Sequence, residues 1–432
     1  MQKERHFALS VLENLQKPVS ALPFQIFRTG WGILMILSAV RFMYLGWIED
    51  HYVNPVFHFK YWGFEWVEPL NRTGLYIVHF LMILSALGII FCTKILYRIS
   101  AIVLFLSFTY TELIDLTYYL NHYYFVSLVC FLLCIIPSPP SVLSKNTTVP
   151  AWVTYLFKFQ ISLVYVYAGI AKINYDWLIH ALPLKIWLPA HYDLPIIGFL
   201  FTYKVTPYIF SWAGMLYDCT IPFWLMWKKS RPYAYIAVIV FHTIVGLLFQ
   251  IGVFPVVMIV STLIFFDFEK WTNQTTLPST KYHLPKVLRY FLTVYVIFQL
   301  IYPWRYLLYK GNLFWTEEGY RFSWRVMLME KAGTATFYVK DSQTGREGIV
   351  NNREFLNDHQ EKQMAMQPDM ILQFAHFLGK YYVQKGVHNP QVRAEVYVTL
   401  NAKPSKLLID PKVDLIKEKD SFMPKKWILP DE

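Results

Sequence analysis

Charge is scarce in this chain. Asp, Glu, Lys and Arg together make up 16% of its 432 residues, where soluble proteins average roughly 25%. A water-facing surface over the whole length is therefore excluded. Cysteine is scarcer still. The four residues present, Cys92, Cys130, Cys134 and Cys219, all fall in apolar runs and form no Cys-x-x-Cys pair, which excludes a disulfide scaffold and a thiolate metal site. No His, Asp or Glu cluster has metal-ligand spacing, so no metal is expected. The net charge of +11 comes without a basic arm or a recognition motif, so a nucleic-acid partner is not expected either. Met1–Lys17 is polar and mixed in charge, unlike the apolar core of a cleavable leader.

What the chain has in abundance is apolar and aromatic surface. Hydrophobic residues reach 55%, and 34 Phe, 31 Tyr and 15 Trp bring aromatics to 19%. Crossing ~30 Å of hydrocarbon takes ~20 apolar residues. Candidate runs lie at 26–47, 75–92, 99–114, 117–136, 151–171, 207–227, 233–251, 253–267 and 287–308. The eighth is short enough to be re-entrant or tilted, so the expectation is a polytopic α-helical membrane protein of eight or nine spans. Charge is split unevenly along the chain. Residues 311–432 hold 17 Lys/Arg and 16 Asp/Glu, nearly half of all charges in little more than a quarter of the length. This divides the chain into a membrane domain, 1–310, and a soluble module, 311–432. In the module, Thr336–Lys340 reads as a strand entering a turn, Asp369–Val383 has helical spacing, and Val392–Leu400 alternates as a half-buried strand. That composition predicts a small α+β module.

Loop charge orients the spans. Lys3, Arg5 and Lys17 precede the first span, Lys94 and Arg98 follow the second, and Lys228, Lys229 and Arg231 follow the sixth. Glu49, Asp50, Glu65 and Glu68 follow the first, and Glu112 and Asp115 the third. The positive-inside rule then places the amino terminus in the cytoplasm and, with all nine spans crossing, the module in a periplasm or lumen.

Ionisable groups inside spans are the places to look for chemistry, since Lys or Arg there costs at least ~2.5–3.5 kcal/mol. Asn121 and His122 stand at the outer head of the fourth span among tyrosines, where an aromatic belt with an incidental His is the bland alternative. Lys172 ends the fifth span, where it could simply snorkel. His242 lies near the middle of the seventh. The spans run antiparallel, so His122, Asn121 and Lys172 fall at one end, with the module on the same side. A partly desolvated lysine beside an aromatic wall suits a base acting on a lipid-soluble aromatic molecule.

These residues carry a resemblance. Asn121-His-Tyr-Tyr, Phe159-Gln-Ile with Tyr167-Ala-Gly-Ile-Ala-Lys-Ile-Asn-Tyr-Asp-Trp177, and Phe241-His-Thr with Phe249-Gln-Ile-Gly-Val-Phe254 resemble blocks of the vitamin K-dependent γ-glutamyl carboxylase family and its bacterial relatives. Trp315-Thr-Glu-Glu-Gly-Tyr-Arg-Phe-Ser-Trp-Arg-Val-Met327 and Ile409-Asp-Pro-Lys-Val-Asp414 resemble the start and end of its juxtamembrane module. The five blocks run in family order from about residue 20 to 427. The resemblance implies a carbon-carbon lyase that oxidises vitamin K hydroquinone to the epoxide with O2. The strong base so formed serves to carboxylate glutamate side chains with CO2. It implies Lys172 as the base toward the hydroquinone, Asn121 and His122 in the reaction centre, and His242, Tyr320 and Trp324 at the cofactor. The implied partners are a glutamate-containing peptide or protein and membrane lipid. Animal members join their membrane and lumenal parts by a disulfide, which a module without cysteine cannot form, so the protein substrate is expected to differ. Two other readings stand beside this one. One is an epoxidase without protein carboxylation; the other is a non-catalytic quinone- or lipid-binding membrane protein.

Overall fold

The computed structural model describes Ser10 and residues 12–144, 146–249, 251–268 and 282–431. Lys3, Arg5 and Gln250 lie outside the described residues. The membrane part is a bundle of α1 (Leu22–Tyr44), α2 (Arg72–Phe91), α3 (Lys94–Ile114), α4 (Asn121–Ile135), α5 (Ala151–Ala171), α6 (Thr206–Met226), α7 (Arg231–Leu248), α8 (Phe254–Ser261) and α9 (Lys286–Ile301). Proline stands in the first turn of α1, α6, α7 and α8, where its missing N–H has no helical partner to lose. Asn71 caps α2 by accepting from the Gly74 amide.

Six helices among the described residues are long and apolar enough to cross a membrane: α1, α2, α3, α5, α7 and the stretch 286–308 formed by α9 and the 3-10 turn after it. The expectation of eight or nine spans is thus met for six. α4 and the stretch 254–265 are apolar but shorter. α6 has the length but carries Asp218 and a proline, Pro222, in its interior. The short eighth run is α8 continued by a 3-10 turn, Thr262–Phe265.

The bundle core gathers Phe24, Phe27, Trp31, Phe125 and Phe157, each at most 1% exposed. Many outward-facing residues, such as Leu37, Phe80 and Ile236, are large, apolar and exposed, as the lipid-facing side of a span requires. A short pairing of β1 (Pro18–Ser20) with β2 (Thr148–Pro150) ties the start of α1 to the start of α5.

The carboxy-terminal part is a four-stranded antiparallel sheet in the order β4-β3-β5-β6, made of β3 (Lys331–Lys340), β4 (Glu347–Ile349), β5 (Gln391–Leu400) and β6 (Lys406–Leu407). Val392, Ala394, Val396, Val398 and Leu400 alternate inward on β5 and meet Phe374, Ala375 and Leu378 of α11 (Pro368–Gln384). A capping box between Asn357 and Gln360 starts α10 (Asp358–Met364).

This module sits on the acidic loops. Gln373 exchanges two hydrogen bonds with the Lys60 backbone, and Asn357 donates to the Asp50 carbonyl. Asn401 donates to Asp176 at 2.9 Å. At the centre of the joint, buried Asp115 accepts from His58 Nδ1 at 3.2 Å, Gln360 Nε2 at 2.7 Å, the Thr117 amide at 2.9 Å and the Thr117 hydroxyl at 2.7 Å. The donors come from two loops of the bundle and from the module. Beside it, Tyr118 is stacked between His51 (ring centroids 3.9 Å apart) and His359 (4.6 Å).

Candidate active site

Two adjoining cavities lie beneath the module. The smaller, about 100 Å³, is walled by α5, α6 and α7. Lys172 caps the end of α5 and reaches into it. Its Nζ donates to Asp218 Oδ2 on α6 at 2.7 Å and to the Ala168 carbonyl at 3.3 Å. The two charged side chains are 9% and 8% exposed, and the ammonium stands 5.4 Å from the Trp177 ring centroid. A buried charge demands such a partner, since an isolated one is prohibitively costly in an apolar medium.

The sequence explains how α6 comes so close. Gly169 lies against Asp218 and Cys219, and a Cβ there would stand 2.6 Å from the Cys219 amide nitrogen and 3.0 Å from the Asp218 carbonyl carbon. Only a residue without a side chain lets the two backbones meet, and this meeting places the carboxylate beside the lysine.

His242, 1% exposed, faces the same cavity from α7. Its Nε2 is hydrogen-bonded to the Tyr165 hydroxyl at 2.8 Å, while Nδ1 is buried with no hydrogen-bond partner among the described residues. Trp177, Trp187, Phe210, Phe241 and Phe249 supply aromatic walls, beside the aliphatic Val164, Leu184, Val245 and Met258. A planar apolar ring with polar groups at its edges matches these surroundings.

The larger cavity, about 1310 Å³, lies between the head of α4 and the module. Asn121, His122 and Tyr320 line it. The Asn121 amide donates to the Arg325 carbonyl at 2.8 Å, and its oxygen accepts from the Tyr119 hydroxyl at 3.1 Å. That arrangement fixes which way the amide points. His122 is 7% exposed, and its Nε2 has no hydrogen-bond partner among the described residues. A buried polar atom left unpaired costs ~1–3 kcal/mol and asks for an explanation, such as a ligand group. Burial pushes the Tyr320 phenol above its ordinary range, so it serves as a neutral hydrogen-bonding group. At the cavity edge Lys331 pairs with Glu317 at 2.8 Å, and Arg321 binds Asp369.

The sequence reading gathers His122, Asn121 and Lys172 into one site; the structure instead puts Asn121 and His122 on one chamber and Lys172 on its neighbour. Phe254, Val326 and Met327 line both. The Phe254 ring centroid is 5.5 Å from that of His122 and 5.6 Å from that of His242. Trp324 lines neither chamber. It is fully buried in the bundle core, stacked on Tyr124 at 4.9 Å. The segment that forms the shared wall is conformationally unusual, with Glu317, Phe322, Trp324 and Met327 all at φ between 54° and 61°. Non-glycine residues in this region are uncommon and cluster at functional sites.

Sequence reasoning missed two members. Asp218 satisfies the same criterion that singled out Lys172, an ionisable group within an apolar run. Phe254 ends a quoted motif but carries no polar atom to mark it.

A family model described as the HTTM domain matches residues 16–271. A second, described as vitamin K-dependent gamma-carboxylase, lumenal domain, matches residues 284–432. No solved structure matches the chain.

Proposed function

Because this chain belongs to the HTTM-domain family and joins that domain to a vitamin K-dependent gamma-carboxylase lumenal domain, as a gamma-carboxylase family member does, we propose that it carboxylates glutamate side chains at the expense of reduced vitamin K. The single observation that carries the reading is the pair of chambers under the module: a buried lysine in an aromatic pocket, and next to it a wider cavity edged by an amide and an unpaired imidazole. When bound, the reduced quinone would supply, through oxidation by O2 to the epoxide, a base strong enough to remove a γ-proton of glutamate, whose place CO2 takes.

The residues divide the work accordingly. Lys172 accepts a proton from the quinol hydroxyl, and His242 meets the far edge of the ring through its free Nδ1. Trp177, Phe210 and Phe241 hold the ring and keep water out, which strengthens each polar contact inside. In the wide cavity Asn121 and His122 hydrogen-bond the glutamate side chain and Tyr320 closes over it. Trp324 acts at one remove, by holding Tyr124 and the strained wall. The amino terminus lies in the cytoplasm and the module in the periplasm or lumen, so the substrate is a glutamate-containing peptide or protein on the outer side. The basic loop residues Lys94, Lys228 and Arg231 stand at the bundle end opposite the acidic loops and support this orientation.

The test is an assay of membranes with vitamin K hydroquinone, O2, labelled CO2 and a short Glu-containing peptide. Epoxide and label from the wild type, with both lost by a factor of roughly 10² or more in Lys172→Ala, is the expected result. Epoxide without label would point to an epoxidase alone. Neither product, with quinone still bound, would make the chain a carrier.

A further inference from the structure

The ion pair in the narrow chamber changes what Lys172 can do. An ammonium with a carboxylate at 2.7 Å has no lone pair to accept a proton, so the base assigned to it under the proposed function is absent from the resting arrangement. We infer that Asp218 is a positioning residue for that reaction: it holds Lys172 as an ammonium aimed into the chamber, and the free amine arises only when the proton crosses to Asp218. This inference rests on the reading of Lys172 as the base.

The step balances within the pair. An Nζ–H bond breaks, an O–H bond forms on Oδ2, and the net charge is zero before and after. No buried net charge is created, which the low-dielectric interior would penalise. When the freed amine then takes a hydroxyl proton, the pair's single positive charge is matched by the negative charge left on the donor.

Geometry favours this role over a merely structural ion pair in two ways. Gly169 brings the α6 backbone against α5 at Asp218 itself, so close packing does not need the carboxylate to hold the helices together. Both partners also line the chamber rather than being sealed behind it. The titratable neighbours are Tyr165 on α5, Tyr217 and Cys219 on α6, and His242 on α7. Tyr165 and His242 are engaged with each other, and Asp218 is the one carboxylate among the described residues that line the chamber.

The experiment needs a readout beyond turnover. Membranes bearing the full chain, without quinone, are treated with acetic anhydride at fixed pH, and acetylation of Lys172 is followed by mass spectrometry. Asp218→Asn should label about tenfold faster or more, because an ammonium left without its counter-ion in an apolar site sheds its proton. In parallel, the acid limb of the pH profile for epoxide formation should shift in Asp218→Asn, while Asp218→Glu should lie between it and the wild type. Labelling within about twofold of the wild type and a superimposable pH profile would overturn the inference. If Asp218→Asn does not accumulate in membranes, Asp218→Glu decides alone: altered labelling supports the role, and unaltered labelling ends it. A wild type that forms no epoxide yet shows the labelling difference would refute the proposed function and leave the hold of Asp218 on Lys172 standing.

Discussion

Phe254 lines both chambers. Its ring stands within 6 Å of both His122 and His242, so a shorter side chain opens one chamber to the other. Phe254→Leu removes volume at a half-buried position and costs about 1–3 kcal/mol of stability. The expected outcome is that epoxide formation continues while label from CO2 falls several-fold, so the epoxide-to-label ratio rises. An unchanged ratio would mean that Phe254 is packing and nothing more. The sequence made much of this site legible. Asn121, His122, Lys172 and His242 stood out because polar groups in apolar runs are costly and therefore informative. Partnership was not legible. Lys172 and Asp218 are 46 positions apart, and Asn121 reaches Arg325 across 204, distances over which no local pattern says who meets whom.

At the scale of elements, the close approach of α5 and α6 depends on a single missing side chain. In Gly169→Ala the new Cβ would meet backbone rather than a yielding side-chain tip, so the helices must separate. Overpacking of this kind costs about 1–3 kcal/mol. The expected result is a lower melting temperature together with loss of epoxide formation, because the Lys172–Asp218 contact stretches as α6 recedes. Full activity in a destabilised Gly169→Ala protein would contradict the link between this packing and the pair. Helix placement itself was readable: α5 and α6 begin and end within one residue of their apolar runs, while α8 and α9 stop six and seven residues short and pass into 3-10 turns. Membrane length and apolarity are properties of a segment, and no knowledge of neighbours is needed to see them. In the module, strand alternation at 392–400 and helical spacing at 369–383 likewise matched β5 and α11. The registry of β3 on β5 and the seating of α10 on Asp115 are relations between segments, and these only the folded chain reveals.

At the scale of the whole molecule, the joint between bundle and module holds a pH-sensitive group, His51. Burial, reinforced by the field of His359, holds the His51 imidazole well below its ordinary value, at about 4. The unfolded imidazole takes up its proton near 6.5, so between those values the unfolded state binds the additional proton. Stability from this group is complete above about pH 6.5 and is lost as pH falls toward 4, by at most about 1.4 kcal/mol per unit. The melting temperature of detergent-purified protein should therefore drop between pH 7 and pH 5, and His51→Phe should flatten that drop. A His51→Phe protein with the wild-type slope would place the pH response elsewhere. Asp115→Asn should loosen the same joint at every pH, since an amide N–H would then face donors from Thr117, His58 or Gln360, a mismatch costing about 1–3 kcal/mol or more. Limited proteolysis near residues 309–330 would detect it as faster cleavage.

The four acceptor contacts of Asp115 have one more consequence. Every cysteine of the chain is a free thiol located in the bundle, so the joint closes entirely through bonds that thermal motion can break and remake. No disulfide among the described residues joins the two parts. The two parts should dock equally well in dithiothreitol and in air.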